Sequence, residues 1–211
     1  MASIPRADTP GYRQLHERVE NALDRLQEAP DIEFKESASW DTLRWTIIKT
    51  ALAMGNLRDG GILIVGVAER SGQEQRTGVS GTDLETYDPD IVADQFGRFI
   101  SPSIDFTLVQ VPYRDKDYLA FEFQEFREIP LVCKRAGEGL EVGAVYVRPR
   151  GGRPRNTKVT DAAQMRELLD LAADKAARRI IERGIRAGLE FPAGARPPTV
   201  IEQFERELEG L

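Results

Sequence analysis

Three glutamates have the residue type and the positions that suit metal-ion chemistry. Glu28 and Glu33 lie five residues apart, and Glu69 follows the apolar run 62–68. Open sheets usually build their sites at strand ends, so we expect these carboxylates to meet at one edge. Carboxylate oxygens are ligands for Mg²⁺ or Mn²⁺, which support hydrolysis of phosphodiesters. The alternative is that all three are surface glutamates that pair with Lys35 and nearby arginines.

A basic segment has the composition of a phosphate-contacting loop. Residues 148–158 contain five cations and no acidic residue, with glycines and prolines between them. The arginine guanidinium is a planar fork of donors that suits phosphate oxygens, and glycines let the backbone approach a ligand closely. We expect this segment to contact a nucleic-acid backbone; the alternative is a solvated loop that pairs with the protein's own acidic residues. The predicted contacts are Lys35, Arg148, Arg150, Arg153, Arg155 and Lys158.

The overall composition excludes several classes of protein. The 211-residue chain carries a net charge of −6 and 41% hydrophobic residues, as expected for a globular protein of one or two domains. Its longest apolar run is far shorter than the roughly 20 residues of a membrane helix, and residues 1–10 lack the core of a signal peptide, so we expect a cytoplasmic protein. The single Cys133 excludes an internal disulfide framework and a cysteine-rich zinc site.

Hydrophobic periodicity predicts a strand, a helix and a second strand over residues 31–67. Residues 31–37 alternate apolar and charged side chains, as a half-buried strand does. The next segment has apolar residues at helical spacing and leads through Gly60 and Gly61 into a continuous apolar run, which is typical of a strand covered on both faces. The helical positions are Leu43, Ile47, Ile48, Ala51 and Leu52.

The remaining pattern adds elements around this core. A helix is predicted to begin at Thr9–Pro10 and to end before Pro30. Further predictions are a helix over 90–100, strands over 106–111, 119–126, 129–134 and 144–148, and a long helix from residue 160. The predicted fold is α+β, with a mixed β-sheet core of about six strands packed with helices and flanked by an N-terminal helix and a long C-terminal helix.

The C-terminal region differs in composition from the core. Residues 184–198 are rich in glycine and proline, which is typical of a linker, and Thr199 begins a short acidic helix. This segment, from Thr199 to Leu211, is predicted either to engage a protein partner or to pack on the domain itself. The predicted regions are therefore 1–27 (N-terminal helix), 28–160 (core), 161–184 (C-terminal helix) and 185–211 (linker and acidic helix).

The order of several short motifs resembles the Schlafen-type Alba-like domain family. The resemblance covers about residues 28 to 160 and rests on the segments 32–37, 51–56, 60–67, 77–79, 129–132 and 145–148. It implies an α+β core that binds RNA or DNA on a basic surface, and a single copy would need a homodimer to build the groove of duplicated relatives.

The resemblance also implies a metal site. In Schlafens with endoribonuclease activity, two glutamates five apart and an aspartate bind the metal. Glu28 and Glu33 match the glutamate spacing, whereas Ala68-Glu69 replaces the family's usual Asp-Asp, so Glu69 would have to substitute. The zinc site of eukaryotic members cannot form here, because the chain has one Cys and one His.

Three functions follow from the sequence. The main hypothesis is a nucleic-acid-binding protein that contacts the phosphate backbone through the basic segment. The second is a metal-dependent nuclease, an endoribonuclease, that uses Glu28, Glu33 and Glu69 with Mg²⁺ or Mn²⁺. The third is a regulatory module that binds a protein through residues 199–211.

Overall fold

The computed structural model describes residues 4–149 and 154–188. A 3₁₀ turn at Pro10–Tyr12 precedes five helices: α1 (Arg13–Arg25), α2 (Trp40–Gly55), α3 (Gly81–Leu84), α4 (Pro89–Phe99) and α5 (Ala162–Arg186). The strands are β1 (Ile32–Lys35), β2 (Gly61–Val65), β3 (Val67–Arg70), β4 (Gln73–Arg76), β5 (Ile100–Ser101), β6 (Phe106–Tyr113), β7 (Lys116–Phe123), β8 (Val132–Cys133), β9 (Tyr146–Val147) and β10 (Thr157–Lys158).

The main sheet is mixed and has four strands in the order β1-β2-β7-β6. β1 runs parallel to β2, with α2 as the crossover between them, and the other two pairings are antiparallel. The remaining strands form the two-stranded pairs β3–β4, β5–β8 and β9–β10. The predicted α+β class is therefore confirmed, although the strands form one main sheet with separate short pairs.

Two glycines explain where β2 begins and ends. Gly60 has a φ of +68°, and a Cβ there would lie 2.0 Å from the carbonyl oxygen of Phe123. Gly66 has a φ of +114°, which breaks the apolar run into β2 and β3, and its carbonyl accepts hydrogen bonds from Thr77 and Gly78. Only glycine adopts these backbone angles at little cost, so the run predicted as one strand becomes two.

The main sheet is covered on both faces. Ile62 and Ile64 of β2 pack in a cluster with α1, whereas Leu63 and Val65 pack in a larger cluster with α2 and α4. This alternation follows from the period of two in a β-strand. It also decides the environment of β1, because Glu33 pairs in register with Leu63 and therefore faces α2.

Asn56, at the C-terminal end of α2, ties the helix to two later segments. Its side chain is buried, and its Nδ2 donates to the carbonyl oxygens of Leu131 and Tyr146, both at 2.9 Å. Its Oδ1 accepts from the backbone N–H of Leu131 at 2.7 Å. One amide thus fixes the start of β9 and the chain before β8 against α2.

The chain divides into two compact units, Met1–Ala173 and Asp174–Leu211, and the boundary falls within α5. In the first unit, Leu168 and Leu171 of α5 are buried in the larger cluster. In the second, α5 continues through Gly184, where the sequence predicted a linker, because one glycine inside a helix costs only about 1 kcal/mol. The predicted acidic helix, residues 199–211, lies outside the described residues. None of the described helices has the length and apolarity needed to cross a bilayer.

Candidate nucleic-acid interface

An open cleft of about 540 Å³ lies beside the edge strand β1. Its walls come from β1, α2, the β3–β4 hairpin and the segment before β10. The cleft brings all three predicted glutamates together with several predicted cations. Its charged lining residues are Glu28, Glu33, Lys35, Glu36, Lys49, Glu69, Glu74, Arg148 and Arg155.

Glu33 lies at the centre of a buried polar network. It is only 5% exposed, although it sits on the edge strand. Its Oε1 is 2.7 Å from Lys35 Nζ, and its Oε2 accepts hydrogen bonds from Thr50 Oγ1 at 3.0 Å and Asn156 Nδ2 at 3.2 Å. Arg148 Nη1 also donates to Oε2. Both carboxylate oxygens are therefore occupied by protein donors.

Arg148 is buried, in contrast to the exposed phosphate contact that the sequence predicted. Its side chain is 1% exposed and forms the ion pair with Glu33. The guanidinium also donates to Asn156 Oδ1 at 3.0 Å and to the carbonyl oxygens of Ala29 and Ile32 at 3.3 and 3.4 Å. Because β9 packs against α2, its following residue faces the carboxylate of β1 rather than solvent. Arg148 therefore has a structural role at the cleft.

The charge of Glu33 is stabilised by these partners. Burial alone would raise the pKa of Glu33, but the nearby charges of Lys35 and Arg148 and the hydrogen bond from Thr50 outweigh this effect. The pKa of Glu33 consequently lies below its ordinary value of 4.5. The group is thus a buried carboxylate that stays ionised because two cations compensate it.

The predicted metal site does not fit the described residues. Glu33 offers no unoccupied oxygen, and Glu28 Oε1 accepts a hydrogen bond of 3.3 Å from the backbone N–H of Phe34. Glu69 lies on β3, directly opposite Glu74 of β4. Within the parts of the chain that the structure describes, no group of three or more His, Cys, Asp or Glu residues is placed to hold a metal. The described residues of the cleft thus bring the three glutamates together in an arrangement that does not fit a bound metal.

Three of the cations that line the cleft have exposed or half-buried side chains. Lys35 is 28% exposed and Arg155 is exposed. Lys49 of α2 is half-buried, and its Nζ lies 5.2 Å from the ring centre of Tyr146. Lys158, in contrast, lies outside the cleft lining and forms an ion pair with Glu141 at 2.8 Å. Two further predicted contacts, Arg150 and Arg153, lie outside the described residues.

Sequence reasoning missed three residues of the site: Lys49, Thr50 and Asn156. Thr50 is a buried polar residue between apolar positions of α2, and this break in the apolar stripe was a signal that its hydroxyl needed a partner. Lys49 precedes it on the same helix. Asn156 lies 106 residues after Thr50, yet its Nδ2 donates to Thr50 Oγ1 at 2.8 Å. No local pattern indicates a pairing at that separation.

The depressed pKa of Glu33 predicts a specific acid sensitivity. Ionised Glu33 contributes stability that is present above pH 4.5 and is lost as the pH falls through its lower folded pKa. We therefore expect the unfolding free energy of the wild type to fall more steeply in this acid range than that of Glu33→Gln. Urea unfolding at a series of pH values measures this difference. Glu36→Gln, which removes an exposed carboxylate, is the control, and parallel curves for wild type and Glu33→Gln would contradict the assignment.

Comparisons with known proteins identify the family of this chain. Two solved structures share limited similarity with this chain. The DIP2311 protein of Corynebacterium diphtheriae is 18% identical, with a TM-score of 0.46, and the match covers 71% of this chain and 27% of that chain. The N-terminal domain of a putative ATP-dependent DNA helicase RecG-related protein of Nitrosomonas europaea is 20% identical, with a TM-score of 0.43, and the match covers 69% of this chain and 90% of that chain. The chain thus spans about a quarter of the Corynebacterium chain. No curated protein shows significant sequence similarity. Residues 28–155, more than half of the chain, match the family described as Schlafen, AlbA_2, and the protein belongs to this family.

Proposed function

We propose that this protein binds RNA or DNA by contacting the phosphate backbone at the cleft beside β1. Membership of the Schlafen AlbA family supports a role connected with nucleic acid. The observation that carries the proposal is that Lys35 of β1, Lys49 of α2 and Arg155 reach one open cleft from three separate segments. Cations held at fixed positions along a groove suit a chain of phosphates.

The acidic residues of the cleft are partly compensated by the protein itself. Glu33 is paired with Lys35 and Arg148, and Glu36 with Arg70 of β3. The Lys35 ammonium has three donors, two of which bond Glu33 and the carbonyl oxygen of Phe34, so one donor is available for a ligand. The cleft can therefore present cations to a phosphate although it also contains carboxylates.

Binding is expected without cleavage. A nuclease of the kind considered from the sequence needs carboxylate oxygens that are free for a divalent metal, and both oxygens of Glu33 bond protein donors. We expect a labelled tRNA or DNA to be retarded by the protein in EDTA and to stay intact in Mn²⁺. Metal-dependent cutting that disappears in Glu33→Gln would contradict this part of the proposal.

Two cleft cations should account for a measurable share of affinity. Replacing Lys49 and Arg155 together by glutamine removes two phosphate contacts, so we expect at least tenfold weaker binding and a salt slope reduced by about 2. Fluorescence anisotropy with a labelled oligonucleotide at several salt concentrations measures both quantities. The wild type, in which Lys35, Lys49 and Arg155 would neutralise about three phosphates, should show a slope of roughly −3.

The matched control removes the same charge elsewhere. Arg13 and Arg114 are exposed, form ion pairs with Glu17 and Asp24, and do not line the cleft. Their joint replacement by glutamine should leave the salt slope close to that of the wild type. Equal losses of affinity in the two double variants would show that binding follows net charge and not the cleft.

A further inference from the structure

The Glu33 carboxylate accepts hydrogen bonds from two residues of the basic segment. Arg148 and Asn156 flank residues 149–155, and both donate to Glu33 Oε2. Arg148 Nη1 also donates to Asn156 Oδ1, so the three side chains form a closed set of hydrogen bonds. A single oxygen on β1 therefore binds Asn156, the residue that directly follows the cleft cation Arg155, together with Arg148.

Backbone pairing alone gives this segment little support. β9 and β10 pair through two residue pairs, Thr157 with Val147 and Lys158 with Tyr146, and the N–H of Val159 donates one further hydrogen bond to the carbonyl oxygen of Val145 at 2.9 Å. A two-stranded ladder of this length is marginally stable by itself, and of its two strands it is β9 that packs against α2. The buried side-chain network next to it supplies the contacts that the short ladder lacks.

We propose that Glu33 is a positioning residue for nucleic-acid binding: its buried carboxylate anchors Arg148 and Asn156 and thereby holds the neighbouring Arg155 at the cleft. The inference rests on the proposed function, and it replaces the metal-ligand role that the glutamate spacing suggested. Two protein cations occupy the carboxylate on which a metal would depend. Glu33 then acts on the ligand through the segment and not by contact.

The anchoring role of Glu33 predicts a change in binding affinity opposite in sign to the change expected from charge alone. Removing a negative charge from a phosphate-binding cleft ordinarily strengthens binding. Glu33→Gln should instead weaken binding about tenfold, equivalent to roughly 1.4 kcal/mol, because the segment loses its anchor. Glu36→Gln removes the same charge from the same cleft without touching the network, and it should bind slightly more tightly than the wild type. Stronger binding by both variants would overturn the inference.

Hydrogen exchange gives a readout that does not depend on any ligand. The amides of residues 157–159 should exchange at least tenfold faster in Glu33→Gln than in Glu36→Gln, since loss of the anchor exposes β10 to opening. If the wild type fails to bind nucleic acid while this difference in exchange is seen, the proposed function fails and the anchoring role stands. Unchanged exchange at residues 157–159 in Glu33→Gln would overturn the anchoring role itself.

A milder variant keeps the test valid if Glu33→Gln does not fold. Asn156→Ala removes the hydrogen bonds of Asn156 with Glu33, Thr50 and Arg148 and leaves the Glu33–Arg148 ion pair in place. It should still accelerate exchange at residues 157–159, and wild-type exchange rates there would overturn the inference. Titration of the full chain with Mn²⁺ alone gives a third readout. A Mn²⁺-binding site that is lost in Glu33→Gln and kept in Glu36→Gln would overturn the inference, whereas equal Mn²⁺ binding by the two variants supports it.

Discussion

Replacing Asn56 by alanine should lower the free energy of unfolding by roughly 3–5 kcal/mol. The buried amide makes three hydrogen bonds with Leu131 and Tyr146, and alanine would leave three backbone groups without their partner. Each unsatisfied buried group costs about 1–3 kcal/mol. Because these bonds hold the chain on both sides of the β8–β9 connection against α2, the loss should be cooperative and global.

Chemical denaturation of Asn56→Ala measures this effect. Asn21→Ala is a matched control, since Asn21 is exposed on α1 and donates one hydrogen bond of 2.8 Å to the carbonyl oxygen of Glu17. Its replacement should change stability by no more than about 0.5 kcal/mol. Similar losses for the two variants would mean that water replaces the buried amide, and the role assigned to Asn56 would be wrong.

Replacing Arg148 by methionine should be comparably costly, at about 3–5 kcal/mol, because it leaves the buried Glu33 carboxylate without its main buried counter-charge. Lys35 and Thr50 still reach that carboxylate, so we expect the lower part of this range. Arg114→Met is the control: its exposed ion pair with Asp24 should contribute less than about 1 kcal/mol.

The double variant Glu33→Gln with Arg148→Met measures the interaction between the two side chains apart from the cost of losing either one. Removing both charges should restore much of the stability lost in Arg148→Met, since a buried ion pair pays a desolvation penalty that two uncharged side chains do not. The guanidinium Nε is also buried and has no hydrogen-bond partner among the described residues, which adds to this penalty. If the stability lost in the double variant equals the sum of the losses in the two single variants, the two groups do not interact.

Local signals predicted most elements of the fold. Apolar residues at helical spacing indicated α2, and the predicted helix over 90–100 agrees with α4, whose first turn Asp88 caps through its side chain. The strands predicted over 106–111 and 119–126 are present as β6 and β7, which pair antiparallel. These elements could be predicted because periodicity, caps and turns are encoded within a few residues. The split at Gly66 could not, because the turn depends on contacts with Thr77 and Gly78.

The site was predicted less completely than the fold. Residue type and spacing selected Glu33, Lys35 and Arg148, and the structure brings all three together in one cleft. Their roles differ because residue type does not reveal exposure: Glu33 and Arg148 are buried against each other across 115 residues of sequence. Thr50 and Asn156, which complete the network, are common surface residue types and become significant only after folding.

The outer edge of β1 has a consequence for association between copies of this protein. The N–H of Phe34 donates to Glu28, its carbonyl accepts from Lys35 at 3.1 Å, and the carbonyl of Ile32 accepts from Arg148 at 3.4 Å. These side chains occupy the backbone groups through which another strand would add to the sheet, and strand addition at open edges is a common route to aggregation.

The opposite edge of the sheet is occupied at one residue of β6, Gln110. Gln110 of β6 exchanges backbone hydrogen bonds with Pro5 and Ala7, both at 2.9 Å. Three residues first considered for chemistry, Glu28, Lys35 and Arg148, thus also protect the sheet against edge-to-edge polymerisation. Two copies that associate by extending the main sheet at β1 would first have to displace these side-chain contacts.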